Sequence, residues 1–199
     1  MMNYPSGIKK PMTHTVNYSH RGMTLEEDLN QTNLYYREHD IAYIYKKPTP
    51  IKITKVVFNA QKSATIKEAF FMEPSTTDYN GIYKGYYIDF EAKETKNKTS
   101  FPLANIHPHQ LQHLKHILAQ GGIGFIVVRF TTLQKTFLLN GEQLFSFLNN
   151  STSKSIPLSY FLEQGWQLTE KFSPRLDYLK IIDHILEVNK NEKSKEKHD

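Results

Sequence analysis

Hydrophobic and polar residues alternate without a break from Tyr86 to Lys93. Because the side chains of a β-strand point alternately to its two faces, this alternation predicts a strand with one apolar face and one charged face. The charged face would carry Asp89, Glu91 and Lys93. Two carboxylates and an amine on one face of a strand are candidate site residues.

A helix is predicted ahead of this strand, beginning after Thr24 and ending near His39. Thr24 and Glu27 have the Thr-x-x-Glu spacing of a capping box, and the acidic residues of the first turn suit the positive end of the helix dipole. Further helices are predicted over 107–120, 141–148 and 175–188, with a short helix starting at Ser159.

The apolar run Ile123–Phe130 predicts a buried central strand, and shorter strands are predicted over 41–45 and 136–139. Strands that alternate with helices along a chain are typical of layered α/β proteins. The sequence therefore predicts an α/β fold in which a mixed central β-sheet is flanked by helices.

Two segments with strand character, 51–58 and 62–72, interrupt that alternation and carry many lysines. We expect them to form a hairpin, a β stalk over about 53–75, that projects from the sheet. The chain of 199 residues suits one folded domain, predicted over 21–188. A flexible arm over 1–20 and a disordered charged tail over 189–199 are expected at the two ends.

Composition narrows the function classes. The chain contains no cysteine, which excludes disulfides and thiolate metal sites and favours a reducing, cytoplasmic location. The longest apolar run, 121–128, is too short to span a bilayer, so we expect no membrane partner. The net charge of +5 is unevenly distributed, since 41–67 holds six lysines and no acidic residue. This distribution favours a polyanion such as nucleic acid over ordinary solvated lysines.

The candidate chemistry combines the charged strand face with an upstream acid. Asp78 precedes a turn predicted at 80–81, which would return the chain and bring Asp78 beside Glu91. The two carboxylates would hold a hard cation such as Mg²⁺, with Lys93 nearby to stabilise phosphate charge, as in a metal-dependent nuclease. A solvated strand face gives the same residue types, so spacing alone does not separate the two. The unbroken alternation and the basic, hydroxyl-rich stretch 94–100 favour the nuclease.

Histidines cluster on the helix predicted over 107–120. His109 and His113 have the i, i+4 spacing of a zinc pair, but no Glu lies between them, so the metalloprotease pattern fails. Solvated or DNA-facing histidines are favoured over a zinc site.

Several sequence blocks occur in order along the chain: RGMTLEEDLN at 21–30, KKPTP at 46–50, IKEAFF at 66–71, STTDYNG at 75–81, YIDFEAKETKNKTSFPL at 87–103, HQ at 109–110 and SPRLDY at 173–178. In these blocks the chain resembles the RecU-type Holliday junction resolvases, which belong to the PD-(D/E)xK nuclease fold group. The resemblance covers most of the chain. It implies a restriction-endonuclease-like fold with a protruding β stalk.

The resemblance also implies roles for individual residues. The family's Mg²⁺ ligands fall on four positions: Thr76, Asp78, Glu91 and Gln110. Its transition-state-stabilising lysine falls on Lys93, and Asp89 and Glu26 lie in matching motifs that are expected to support the site. Mn²⁺ is an alternative ion, and two metal sites or fewer are expected in each chain.

Junction contacts are expected from basic residues outside the pocket: Arg21, Lys46, Lys47, Lys62 and Lys67. Arg21 is equally compatible with a clamp on a DNA phosphate and with a surface position beside the first helix. At the stalk tip, 59–62 carries less charge than the Pro-Lys-Arg of family stalks, which leaves open how strongly this stalk binds a junction.

The implied activity is that of a Mg²⁺-dependent crossover junction endonuclease. The family acts as a homodimer that makes paired symmetric nicks in four-way DNA junctions and leaves 5′-phosphate and 3′-hydroxyl ends. Its roles lie in homologous recombination, DNA repair and chromosome segregation, and its members modulate the RecA recombinase. Two alternatives stay open: a duplex-cutting nuclease of the same fold, and a non-catalytic junction-binding regulator of RecA.

Overall fold

A computed structural model describes residues 23–58, 64–72 and 76–195. The expected arm with Arg21, and the stalk tip with Lys62, lie outside these described residues. The α-helices are α1 Leu25–Glu38, α2 Pro108–Ala119, α3 Gly141–Asn150, α4 Leu158–Gln164 and α5 Leu179–Lys195. Two short 3-10 turns cover Leu103–Asn105 and Thr131–Leu133.

The strands are β1 Tyr43–Lys46, β2 Ile51–Phe58, β3 Ala64–Phe71, β4 Tyr79–Tyr83, β5 Tyr86–Thr95, β6 Ser100–Pro102, β7 Ile123–Phe130, β8 Lys135–Asn140, β9 Ser155–Pro157 and β10 Trp166–Leu168. A six-stranded sheet has the order β1-β4-β5-β7-β8-β10. Its β5 and β7 are parallel and its other neighbours are antiparallel, so the sheet is mixed. The predicted α/β fold with a mixed central sheet is confirmed.

Two apolar cores lie on opposite faces of this sheet. Alternate residues of the buried β7 divide between them, with Phe125 and Val127 in one core and Ile126 and Val128 in the other. The first core includes apolar residues of α1 and α5, and the second includes those of α2, α3 and α4. Helices therefore cover both faces, as an α/β layer arrangement requires.

A buried ion-pair network ties the start of α1 to the sheet. The Asp28 carboxylate receives Arg129 Nη2 at 2.6 Å and Arg175 Nε at 2.8 Å. Arg129 Nη1 also donates to the Met23 carbonyl at 3.2 Å. The predicted capping box at Thr24 is present as well. These contacts fix the N-terminus of α1 at the C-terminal end of β7, and the Leu25 N–H also donates to Glu94 Oε1 of the neighbouring β5 at 2.7 Å.

The predicted turn at Asn80 and Gly81 is wrong, because both residues lie inside β4. The chain instead reverses at Lys84 and Gly85, whose φ angles are 49° and 83°. Gly81 is needed for a different reason: a Cβ at this position would lie 2.1 Å from the Tyr43 carbonyl oxygen. The Asn-Gly pair therefore marks a close approach of β1 to β4 and not the hairpin turn.

The last helix is displaced from its prediction over 175–188. It starts at Leu179 and continues to Lys195, into the segment 189–199 for which disorder was expected. Lys and Glu are good helix formers, so a helix whose first turns are buried can continue into this charged segment. Residues 196–199 lie outside the described part.

The stalk is a separate two-stranded antiparallel sheet of β2 and β3, and its described residues are exposed. The hairpin predicted from the sequence is thus present. A second small sheet, β6 with β9, and the edge strand β10 were not predicted, because each strand has only three residues. In the described residues, no helix has both the length and the apolar character needed to cross a bilayer.

Candidate active site

The site is built on the pairing of β4 with β5. Tyr79 pairs with Phe90 in this ladder, so the next residue outward, Asp78, faces Glu91. The Asp78 N–H donates to Glu91 Oε2 at 3.2 Å. In return, the Ala92 N–H donates to Asp78 Oδ2 at 3.3 Å. The strand register therefore brings together the two carboxylates predicted from the sequence.

The Glu91 side chain is fully buried, at 0% exposure. Burial, and then the neighbouring Asp78 carboxylate, raise the pKa of Glu91 to about 7. The Lys93 ammonium lies 2.6 Å from Glu91 Oε1 and opposes this rise. The positive charge of Lys93 therefore does not fully compensate for the burial of Glu91 and for the neighbouring Asp78 carboxylate.

These residues fit a divalent cation. Glu91 Oε1 is buried and accepts no hydrogen bond of normal geometry from any described residue, although it forms the ion pair with Lys93. A buried oxygen of this kind beside a second carboxylate is a suitable ligand for a hard cation. The described residues form no cluster of three or more His, Cys, Asp or Glu side chains with metal-binding geometry. Further ligands would therefore be neutral oxygens or water.

A cleft of about 530 Å³ opens onto Asp78, the more exposed member of the carboxylate pair. Asp78 and Lys93 line one side, and the first turn of α1, including Glu26, lines the other. Glu26 forms an ion pair with Lys46 at the surface. The predicted supporting residue Glu26 therefore lines the cleft, and its partner in the ion pair is Lys46, a predicted DNA contact.

The two predicted neutral ligands are placed differently from each other. Gln110 is 4% exposed, and its Oε1 accepts the His107 N–H at 3.0 Å at the start of α2. Thr76 is half-buried, and its hydroxyl lies 3.5 Å from the Thr77 carbonyl oxygen. Their roles as metal ligands stay predictions.

Asp89 is the centre of a separate polar cluster on the same face of β5. Its carboxylate is 0% exposed. It contacts four side chains: Lys47 Nζ at 2.8 Å, Tyr87 OH at 3.0 Å, His113 Nε2 at 3.1 Å and the Thr77 hydroxyl. A buried carboxylate requires such partners, since an unpaired buried charge is costly.

The side chain of Lys47, a predicted DNA contact, points into the protein, and its contact with DNA stays a prediction. Its side chain is only 18% exposed and points inward to Asp89 and Thr77. The physical reason is the buried Asp89 charge, which takes the nearest ammonium as its partner. Lys67 lies exposed on β3, as expected of a stalk residue.

The contribution of His113 to the site is not predicted from the sequence. This residue is expected to be solvated or to face DNA, with a zinc pair as the less favoured alternative, whereas its ring contacts a buried carboxylate. A signal was available, because His113 follows Gln110 by three residues and so shares its face of α2.

Comparisons with known proteins place the chain in a family. The family model described as RecU, Recombination protein U, matches residues 20–184. The Holliday junction resolvase RecU of Bacillus thuringiensis (strain Al Hakam) is 50% identical over 181 residues, covering 89% of this chain and 88% of that protein. The protein of the same name from Bacillus cereus (strain B4264) is 48% identical over 186 residues, covering 92% and 93%.

A solved structure was also matched at a lower level. The Holliday junction resolvase Hjc of Archaeoglobus fulgidus covers 71% of this chain and 92% of its own, with a TM-score of 0.42 and 12% identity. The family match and the two bacterial relatives are sufficient to assign the chain to a family without this structural match. This chain belongs to the RecU family of recombination proteins.

Proposed function

We propose that this protein is a metal-dependent endonuclease that cuts four-way DNA junctions. The observation that carries the proposal is the pair formed by the half-buried Asp78 and the buried Glu91, with Lys93 beside it; Asp78 and Lys93 line an open cleft. The relatives that share about half of its sequence are named Holliday junction resolvases. Carboxylates and a lysine are the groups that metal-assisted phosphodiester hydrolysis uses.

Asp78 and Glu91 would hold Mg²⁺, with Mn²⁺ as a substitute, and Thr76 and Gln110 would add neutral oxygens directly or through water. When bound, the ion polarises the phosphate and lowers the pKa of a water molecule. Lys93 is 21% exposed, so its ammonium can leave Glu91 and stabilise negative charge that develops on the phosphate. Cleavage would leave a 5′-phosphate and a 3′-hydroxyl.

The protein would act as a homodimer. Two symmetric nicks require two carboxylate pairs related by a two-fold axis, which two copies of the chain supply. The stalk carries exposed lysines, Lys52, Lys55 and Lys67, which suit contacts with junction phosphates. The expected setting is recombinational repair and chromosome segregation in the cytoplasm, with RecA as a further partner.

One assay tests the activity. The protein is incubated with a synthetic four-way junction or a matched linear duplex, in Mg²⁺ or in a chelator. Paired nicks in the junction alone, only with Mg²⁺, are the expected result. Cutting of both substrates would identify a duplex nuclease of the same fold. Binding without any cutting would identify a non-catalytic regulator and would contradict the proposal.

A further inference from the structure

We infer that Asp89, with Lys47 and His113, forms a clamp that sets the spacing of the metal ligands without touching the metal. This inference rests on the proposed function, because it concerns the same metal site. Asp89 is called a positioning residue here, since its role runs through other side chains. The three residues are referred to below as the Asp89 clamp.

The clamp holds the segment that carries Asp78. The Thr77 hydroxyl donates to Asp89 Oδ1, and Lys47 Nζ lies 3.0 Å from the same hydroxyl and 2.8 Å from Asp89 Oδ2. The backbone N–H of Lys47 donates to the Asp78 carbonyl at 2.8 Å. Side chain and main chain of one lysine thus fix two consecutive residues ahead of β4.

The clamp also holds α2. His113 Nε2 lies 3.1 Å from Asp89 Oδ2, and this contact joins the helix to β5. Gln110 precedes His113 by three residues and lies on the same side of the helix. A change in the His113 contact would therefore move Gln110 relative to the strand that carries Glu91.

Asp89 itself lies two residues before Glu91, on the same face of β5. One carboxylate consequently connects the three elements that present the proposed ligands: the segment before β4, the strand β5 and the helix α2. Connections of this kind orient metal ligands in many proteins, and their loss weakens metal binding about ten- to a hundredfold.

Asp89 is unsuited to be a ligand itself. Its Oδ1 accepts from Thr77, and its Oδ2 faces Lys47, Tyr87 and His113. Its side chain has no exposed surface, at 0%. An apolar residue could fill the space of Asp89 without needing charged partners. We therefore attribute the presence of a carboxylate here to the contacts by which it connects the three elements.

The test measures Mn²⁺ binding to the full chain without DNA, by calorimetric titration. His113→Ala removes one arm of the clamp, and His116→Ala on the exposed side of α2 is the matched control. We expect the Mn²⁺ dissociation constant of His113→Ala to rise about tenfold, with His116→Ala unchanged. Junction cleavage by His113→Ala should recover at saturating Mn²⁺, because the catalytic groups themselves are intact.

Thr77→Val is the second variant, since it keeps the shape of the side chain and removes the hydroxyl that bonds Asp89. It should also weaken Mn²⁺ binding about tenfold. Wild-type affinity in both variants would overturn the inference, as would cleavage that stays lost in His113→Ala at saturating Mn²⁺. If the wild-type protein binds Mn²⁺ but cuts no junction, the proposed function fails, and the affinity comparison still decides the clamp.

Discussion

Asp78 and Glu91 face each other across neighbouring antiparallel strands, one step beyond the Tyr79–Phe90 pair, and the N–H of the first donates to the carboxylate of the second at 3.2 Å. Two acids in this position repel each other unless a cation or a proton intervenes. Because of this repulsion, the pKa of Glu91 depends on the charge of Asp78.

Asp78→Asn should abolish Mg²⁺-dependent cleavage and lower the pKa of Glu91. The first effect follows from the loss of an anionic ligand, and the second from the loss of one cause of the raised pKa. Cleavage is measured on a four-way junction, and the pKa by NMR titration of the carboxyl carbon without metal. Asp183→Asn, at an acid that pairs with Lys84 on another part of the surface, is the control. An unchanged Glu91 pKa would contradict the coupling.

Metal binding should weaken as the pH falls through about 7, because Glu91 then takes up a proton in place of the cation. Mn²⁺ affinity is measured by calorimetry between pH 6 and pH 8, values chosen as about one unit on either side of that pKa. Glu91→Gln, which cannot ionise, should bind Mn²⁺ weakly with little pH dependence. Wild-type affinity that stays flat over this range would contradict the prediction.

The pH dependence of folding stability in the metal-free protein should be opposite to that of metal binding, because folding favours protonated Glu91. Because the folded-state pKa of about 7 lies above the ordinary 4.5, the folded chain binds the proton more tightly than the unfolded chain. The contribution of Glu91 is therefore fully present below pH 4.5 and is lost as the pH rises through 7. Urea unfolding of the wild type and of Glu91→Gln, both in chelator, measures this contribution of Glu91. The free energy of unfolding of Glu91→Gln should exceed that of the wild type by a margin that grows as the pH rises.

Lys93→Ala should reduce junction cleavage about a hundred- to a thousandfold and leave junction binding in chelator unchanged. The ammonium lies 2.6 Å from Glu91 Oε1 and would act on negative charge that develops on the phosphate during hydrolysis. Single-turnover cleavage and gel-shift binding separate the two effects. Lys180→Ala, at an exposed residue of α5, serves as the control. Full turnover in Lys93→Ala would remove this lysine from the mechanism.

Asp28→Ala should destabilise the fold by about 3 kcal/mol, because it removes the buried carboxylate that pairs with the buried Arg129 and the half-buried Arg175. The loss is at the low end for a broken buried ion pair, since Glu170 still faces both guanidinium groups. Urea unfolding gives the change in free energy. Glu38→Ala, at the exposed end of the same helix, should change stability little. A comparable loss in both variants would show that the network contributes less than its burial indicates.

Much of the scaffold could be predicted because its periodicity is strong. The alternation at Tyr86–Lys93 and the apolar run Ile123–Phe130 correspond to β5 and β7, the parallel pair at the centre of the sheet. The capping box at Thr24 marked the start of α1. Local patterns of this kind depend on one element at a time and need no knowledge of its neighbours.

The features that could not be predicted depend on contacts between residues that are far apart in the sequence. The turn predicted at Gly81 is wrong because the local pattern does not show which strand packs beside this residue, and that strand is β1 with Tyr43. The inward position of Lys47 could not be predicted, because the sequence does not show that Asp89 is fully buried and needs a counter-charge. His113 joined the site through the same carboxylate.

The central claim is that the Asp78–Glu91 pair holds a divalent metal ion. Crystals of the protein soaked in Mn²⁺ and measured for anomalous scattering would locate the ion directly. We predict an anomalous peak in contact with both carboxylates. A peak elsewhere, or no peak between these two side chains at a pH above 7 where Glu91 is ionised, would contradict the account.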